Sequence, residues 1–187
     1  MNIETWKEDV ENDRRQKDFF FGSHFESPLS AGEREGFQGL RYWPPDPEYR
    51  FETEFREHSD KKVRKVQDTG GNVRDLIRWG EFRFRAGGRE CVLHAYKSDP
   101  EEKRLFVPFR DTTSSRESYG AGRYIDLEPP GDMTEEGRCI FELNKAYNPW
   151  CAYSDAYVCP FVPPENCLKV PIRAGEKSFH SLDNEDE

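Results

Sequence analysis

The chain predicts a mainly β fold: an antiparallel β-barrel or sandwich of about eight strands preceded by one or two N-terminal helices. Three observations carry that expectation. Residues 49–56 alternate, with Tyr49, Phe51, Thr53 and Phe55 on one face and Arg50, Glu52, Glu54 and Arg56 on the other. That is the period of two of a half-buried strand. Gly87-Gly88 separates two further apolar-patterned runs, as in a two-residue hairpin whose positive φ angles favour glycine. Helical signals stop before Tyr42, and no strand–helix alternation follows, which argues against a parallel sheet.

The elements follow in order. Thr5-Trp6-Lys7-Glu8 reads as a capping box, and Ile3, Trp6, Val10, Arg14 and Lys17 keep helical spacing into Phe19-Phe20-Phe21. The apolar stripe is sparse, so this helix should lie against another surface rather than form a core of its own. Ser30-Ala31-Gly32-Glu33 repeats the capping pattern and opens a short turn ending near Gly36. Tyr42-Trp43-Pro44-Pro45-Asp46-Pro47 cannot be helix interior, because its prolines lack donors and fix φ, and it reads as an extended link. Strands are then expected at 49–56, 63–67, 73–79, 81–86, 89–97, 104–110, 123–127 and 138–143, with a turn at 68–72. The expected organisation is one domain over residues 1–182. It has a helical preface at 3–36, a β-domain at 48–177 and a frayed acidic tail from Asp183 to Glu187. Phe82, Phe84, Leu93, Leu105, Val107, Phe109, Ile125 and Phe141 are expected to share one core.

Composition excludes some functions. The net charge of −9 speaks against a general nucleic-acid or anionic-membrane surface, since both require a basic face. No apolar run approaches the ~18–20 residues of a membrane span, and MNIETWKEDVENDRRQKD has no signal-peptide core. A cytoplasmic protein with reduced cysteines is therefore expected. Aromatic residues make up 14% of the chain, so large rings should supply much of the core.

The segment 119–177 departs most from plain core patterning, concentrating glycines, prolines, tyrosines, asparagines and cysteines. Four phrases are distinctive: SPLS (27–30), GFQGLRYWPPDPEYRF (36–51), LFVPFRDTTSSRESYGAGRYIDLE (105–128) and FELNKAYNPWCAYSDAYVCPFVPPENCLKVPIRAGEK (141–177). On them the chain resembles the bacterial and archaeal domain-of-unknown-function family 1684. The resemblance implies a stand-alone, mainly β domain and brings no activity with it. Ser115 stands where that pattern has glycine, Ser118 where it has threonine, Lys145 where it has arginine, and Cys167 where a basic residue is commoner.

Candidate site residues come from these irregular stretches. Arg110, Tyr119, Arg123, Asn144, Tyr147 and Asn148 offer cations, phenols and amides for a small polar or anionic ligand at one end of the β-structure. Convergence of at least four of them on one pocket is the expectation that distinguishes a site from loop-tying. Asp111 or Glu165 as acid–base, with Cys151 or Tyr147 assisting, is the hydrolase or lyase alternative. A homo-oligomeric interaction module, a homodimer among its forms, is a third reading. Tyr119-Gly120-Ala121-Gly122-Arg123 lacks the Lys-Ser/Thr of a phosphate loop, so its glycines are expected to serve a tight bend. Cys151 and Cys159, with Glu165 as a third group, are a weakly spaced metal set. His24, His58, His94 and His180 form no cluster along the chain, and no cofactor is expected.

Overall fold

A computed structural model describes residues 1–180; the expected acidic tail, Asp183 to Glu187, lies outside the described residues. The chain is mainly antiparallel β with an N-terminal helix, arranged as two sheets. Helix α1 spans Ile3–Ser23 and α2 spans Ala31–Glu35. The strands are β1 (Arg50–Thr53), β2 (Phe55–Glu57), β3 (Val63–Gln67), β4 (Val73–Ala86), β5 (Arg89–Lys97), β6 (Leu105–Phe109), β7 (Arg123–Leu127) and β8 (Cys139–Glu142). One sheet pairs β1 with β8. The other runs β2-β4-β5-β6-β7, with β3 also on β4. The barrel alternative is not met, since no ring of pairing closes among the described residues.

Helix α1 is capped three residues earlier than expected. The Asn2 side chain, not Thr5, accepts from the Glu4 and Thr5 amides. The sparse stripe does what its composition suggests, burying Trp6, Val10 and Phe21, the last in a cluster with Leu29, Ala152 and Tyr153. Polar contacts fasten it: Trp6 Nε1 donates to Glu142 at 2.9 Å, and Arg14 donates to the carbonyls of Trp43 and Asn144. The second capping box forms as expected, with Ser30 and Glu33 satisfying each other's backbone and Gly36 closing the turn.

The alternating run 49–56 is not one strand. It breaks at Glu54 and passes from the small sheet to the large one, Phe51 lying opposite Phe141 and Phe55 opposite Phe82. Such corners let one strand serve two packed sheets. Both phenylalanines still face the same interior, where the Phe82 and Phe141 rings stack at 4.7 Å and Phe51 meets Phe84 at 4.9 Å. All eight expected core residues lie in this single cluster, joined by Leu143, Leu168, Val170 and Ile172. Truncating Phe141 to alanine would leave a cavity costing about 3–5 kcal/mol.

The two strands expected at 73–79 and 81–86 are one, β4, interrupted by a bulge between Arg78 and Gly80. The extra residue shifts the side-chain parity. Leu76 and Arg78 before it and Glu81 and Arg83 after it therefore share the outer face, while Phe82 and Phe84 point inward. Gly80 permits the close approach of β2, because a Cβ there would sit 2.6 Å from the Arg56 carbonyl oxygen. The hairpin at Gly87-Gly88 has φ of 55° and 73°, as the dipeptide predicts. On the outer face lies a second apolar cluster of Val66, Leu76, Tyr96, Phe106 and Tyr124, against which Tyr147 packs. No helix among the described residues is long and apolar enough to cross a membrane.

Candidate functional site

The six residues proposed from sequence as ligand contacts do not converge. Arg123 is in the core, its Nη2 donating to Asp111 at 2.8 Å and to the Ile172 carbonyl at 2.7 Å, its Nη1 to the Ala174 and Glu176 carbonyls. All its reach is spent on the returning segment 172–176. Asn144 bridges both backbone groups of Asp46 and the Glu142 carboxylate, and Asn148 ties its own loop to Lys177. Arg110 is exposed, with its backbone paired to Asn166 and Leu168. Tyr119 points to Cys151, its hydroxyl 3.7 Å from the sulfur. Asn144 and Tyr147 share a cavity, a small one of about 170 Å³ under α1. Uncharged amides in a loop had two readings, and here the geometry is that of loop-tying.

The catalytic candidates are similarly dispersed. Asp111 is buried against Arg123 and also accepts from the Thr113 amide at 2.7 Å. Glu165 accepts from Tyr96 and Arg64. Burial opposes its ionised form, but its own backbone amide, Tyr96 and Arg64 outweigh that and hold it below the usual carboxylate range. The Tyr147 hydroxyl donates to Asp126 at 2.6 Å, and burial raises its pKa well above the ordinary phenol value.

The structure does build a cleft of about 520 Å³ on the outer face of the large sheet, roofed by the loop that follows Tyr147. Its floor is Leu76, Phe106 and Tyr124, and one wall is Trp150 and Tyr157. The rings meet edge to face, Phe106 with Tyr124 at 4.8 Å and Trp150 with Tyr157 at 4.9 Å. Such T-shaped pairs are the favoured geometry of aromatic quadrupoles and stiffen the walls. Arg74 and Arg104 stand at the rim, 46% and 40% exposed, each held by carboxylates: Arg74 by Asp68, Arg104 by Glu102 and Asp126. Sequence reasoning missed both arginines because they lie in ordinary strand positions, outside the motif-rich segment. Tyr147 is the one nominated ligand residue that lines this cleft.

Cys159 also lines it, whereas Cys151 opens onto a neighbouring hollow with Tyr119 and Asp155. Both are free thiols and half-buried. The two thiols influence each other's ionisation, and this splits them: Cys151 is pushed up by Cys159 and by burial. Cys159 is pulled below the ordinary thiol range, first by Cys151, then by backbone amides and Arg74, against the effect of burial.

Two of the four histidines, His58 and His94, do come together in space, contrary to the reading along the chain. His58 Nε2 lies 3.4 Å from His94 Nδ1, and Glu81 Oε2 lies 4.0 and 3.7 Å from those two atoms. The signal was present but indirect: pairing β4 with β5 sets Glu81 opposite His94, and the residue after β2 then falls beside both. Locating the bulge at Arg78–Gly80 was the missing step.

The family model described as "Protein of unknown function (DUF1684)" matches residues 35–177. The chain belongs to this family. An uncharacterised protein of Haloarcula marismortui, solved in solution by NMR, is 35% identical with a TM-score of 0.71, and the match covers 98% of each chain. No curated protein matches the chain. The departures from the DUF1684 pattern acquire physical form here. Ser115, at the pattern's glycine position, has φ of 66°, in the left-handed region. Ser118 is fully buried and shares a 2.8 Å hydrogen bond with Thr113. Lys145 reaches Asp13 of α1 at 3.2 Å, an ion pair across the helix–sheet junction of this DUF1684 chain.

Proposed function

We propose that the chain is a small-molecule-binding protein whose site is the aromatic cleft on the outer face of the large sheet. The ligand class is a planar group carrying one anionic substituent. The observation that carries this reading is the lining: Phe106, Tyr124, Trp150 and Tyr157 supply ring faces and edges, with Arg74 and Arg104 at the mouth. A volume of about 520 Å³ falls within the range of ordinary ligand pockets. Arg104 spends Nε on Glu102 and Nη1 on Asp126, which leaves its Nη2 edge to receive a carboxylate or phosphate. Tyr147, already fixed by Asp126, gives the polar flank.

The test is a titration with phenyl phosphate, benzoate and inorganic phosphate, followed by the Trp150 indole resonance. Phenyl phosphate or benzoate should shift that signal and inorganic phosphate should not, because the rings supply much of the affinity. Arg104→Ala should weaken binding by about 1.5–3 kcal/mol, the usual worth of a charged hydrogen bond. Silence of the Trp150 signal toward both aromatic probes would sink the reading.

A second reading rests on Cys159 alone. Its lowered pKa and its place in the cleft favour a thiol that captures an electrophilic ligand. Asp111 and Glu165, the carboxylates nominated for acid–base work, do not line this cleft. An adduct on Cys159, but not on Cys151, after exposure to an α,β-unsaturated aldehyde would support it; equal labelling of the two would remove it.

A further inference from the structure

We propose that His58, Glu81 and His94 form a binding site for a divalent transition-metal ion of the zinc type. The three atoms that face one another are His58 Nε2, His94 Nδ1 and Glu81 Oε2, separated by 3.4, 3.7 and 4.0 Å. A triangle with those sides has a circumradius of about 2.2 Å, close to the ~2.0–2.2 Å of zinc–nitrogen and zinc–carboxylate bonds. An ion would therefore reach all three with shifts of a few tenths of an ångström. Three protein ligands leave a position for water or another ligand.

The donors are held in place by their neighbours. Arg83 takes the other oxygen of Glu81, Oε1, at 2.7 Å and so turns Oε2 toward the histidines. The Asn166 side chain brackets His94, accepting from its amide at 2.9 Å and donating to its carbonyl at 2.8 Å. The His58 amide donates to the Trp79 carbonyl at 2.9 Å, at the bulge of β4. The Arg83 bond is of the kind that orients a metal ligand, and the others fix the backbone that carries the two histidines. All three ligand side chains are largely shielded from water, 21%, 12% and 15% exposed.

The donor set also chooses the ion. Arg83 lies on Glu81, and Arg78 and Lys61 are charged neighbours of His58. These cations repel any dication alike, so the donor set discriminates: magnesium and calcium prefer oxygen donors. Two imidazoles and one carboxylate instead suit an ion with strong bonds to nitrogen.

The experiment is a cobalt(II) titration of the full chain read by visible absorption, with zinc(II) competition by calorimetry. The long-range nitrogen resonances of the histidines are recorded with zinc. One equivalent should bind, with His58 Nε2 and His94 Nδ1 shifting. The Cys151→Ser/Cys159→Ser double variant should keep that equivalent, because the thiols are not the ligands. His58→Ala and His94→Ala should each weaken binding by more than the ~10–100-fold loss typical of outer-shell changes. Glu81→Gln, which keeps the shape, should also weaken it, with thermal midpoints in chelator confirming that each variant is folded. No uptake by the native chain would overturn the proposal. So would uptake that disappears only in the double serine variant, or histidine resonances that do not move.

Discussion

Arg123 and Asp111 form an ion pair of 2.8 Å in which each side chain is only 1% exposed. The guanidinium also lies 5.0 and 5.1 Å from the Trp43 and Phe109 rings. Desolvation lowers its pKa while Asp111 acts to raise it, so the charge is tolerated through its partners. The same guanidinium binds three carbonyls of the returning chain, which makes it the tie between β7 and residues 172–176.

Arg123→Ala should therefore destabilise the fold by about 3–5 kcal/mol, because an uncompensated buried carboxylate and three unpaired carbonyls remain. Urea unfolding measures this. Arg104→Ala, at an exposed pair, should cost less than about 1 kcal/mol. Equal losses for the two would contradict the assignment of Arg123 to the core and Arg104 to the cleft.

Tyr147 and Asp126 give a pH-dependent prediction. Burial raises the Asp126 pKa, while the Tyr147 hydrogen bond and Arg104 pull it down. A carboxyl whose folded pKa lies above its unfolded one contributes stability below the unfolded pKa, and that contribution is lost as pH rises through the folded value. Tyr147→Phe removes one of the lowering contacts and raises the folded pKa further. The variant should be less stable than the native chain by about 1–3 kcal/mol near neutral pH. The deficit should narrow as the pH falls through the raised folded pKa, above the ordinary carboxylate range, where the carboxyl takes up its proton. Denaturant midpoints at several pH values decide it, and a deficit independent of pH would remove Asp126 as the cause.

Much of this fold was legible in the sequence, and the failures have definite causes. Local signals worked where one physical effect dominates: the glycine pair of the β4–β5 hairpin and the Ser30–Glu33 box. The single strand expected at 49–56 failed because alternation reports which side is buried, not which sheet accepts the hydrogen bonds. Phe51 and Phe55 satisfy the same pattern in two sheets. The site was less legible. Arg123 and Asn144 looked like ligand groups because a polar side chain in an irregular loop has the same sequence signature whether it binds backbone or ligand. Arg104, His58 and His94 were passed over because only strand register brings them to their neighbours.

The thiol pair should react unequally. Cys159 is lowered to about 6 by its Cys151 neighbour, the Cys151 and Trp150 amides and Arg74, while Cys151 is raised. Iodoacetamide followed by peptide mass analysis should label Cys159 first at neutral pH, with its rate rising through a midpoint near 6. Cys151→Ala should move that midpoint up toward the ordinary ~8.5 and slow the reaction at neutral pH. Coincident midpoints for both thiols in the native chain would show that their mutual influence does not divide them.

Ser115 offers the reverse test, a substitution that should stabilise. Its φ of 66° places a residue with a Cβ in the left-handed region, at a cost of roughly 1–2 kcal/mol. Its amide donates to the Ser118 carbonyl at 3.1 Å, a backbone bond that glycine would retain. Glycine relieves the strain but adds about 0.5–1 kcal/mol of chain entropy in the unfolded state. Ser115→Gly should therefore leave a net gain of about 0.5–1 kcal/mol, seen as a higher urea midpoint with an unchanged slope. Ser115→Ala keeps the Cβ and the strain, so it should show no gain. A stabilising alanine would mean that loss of the hydroxyl, rather than relief of the backbone, sets the energy at this turn.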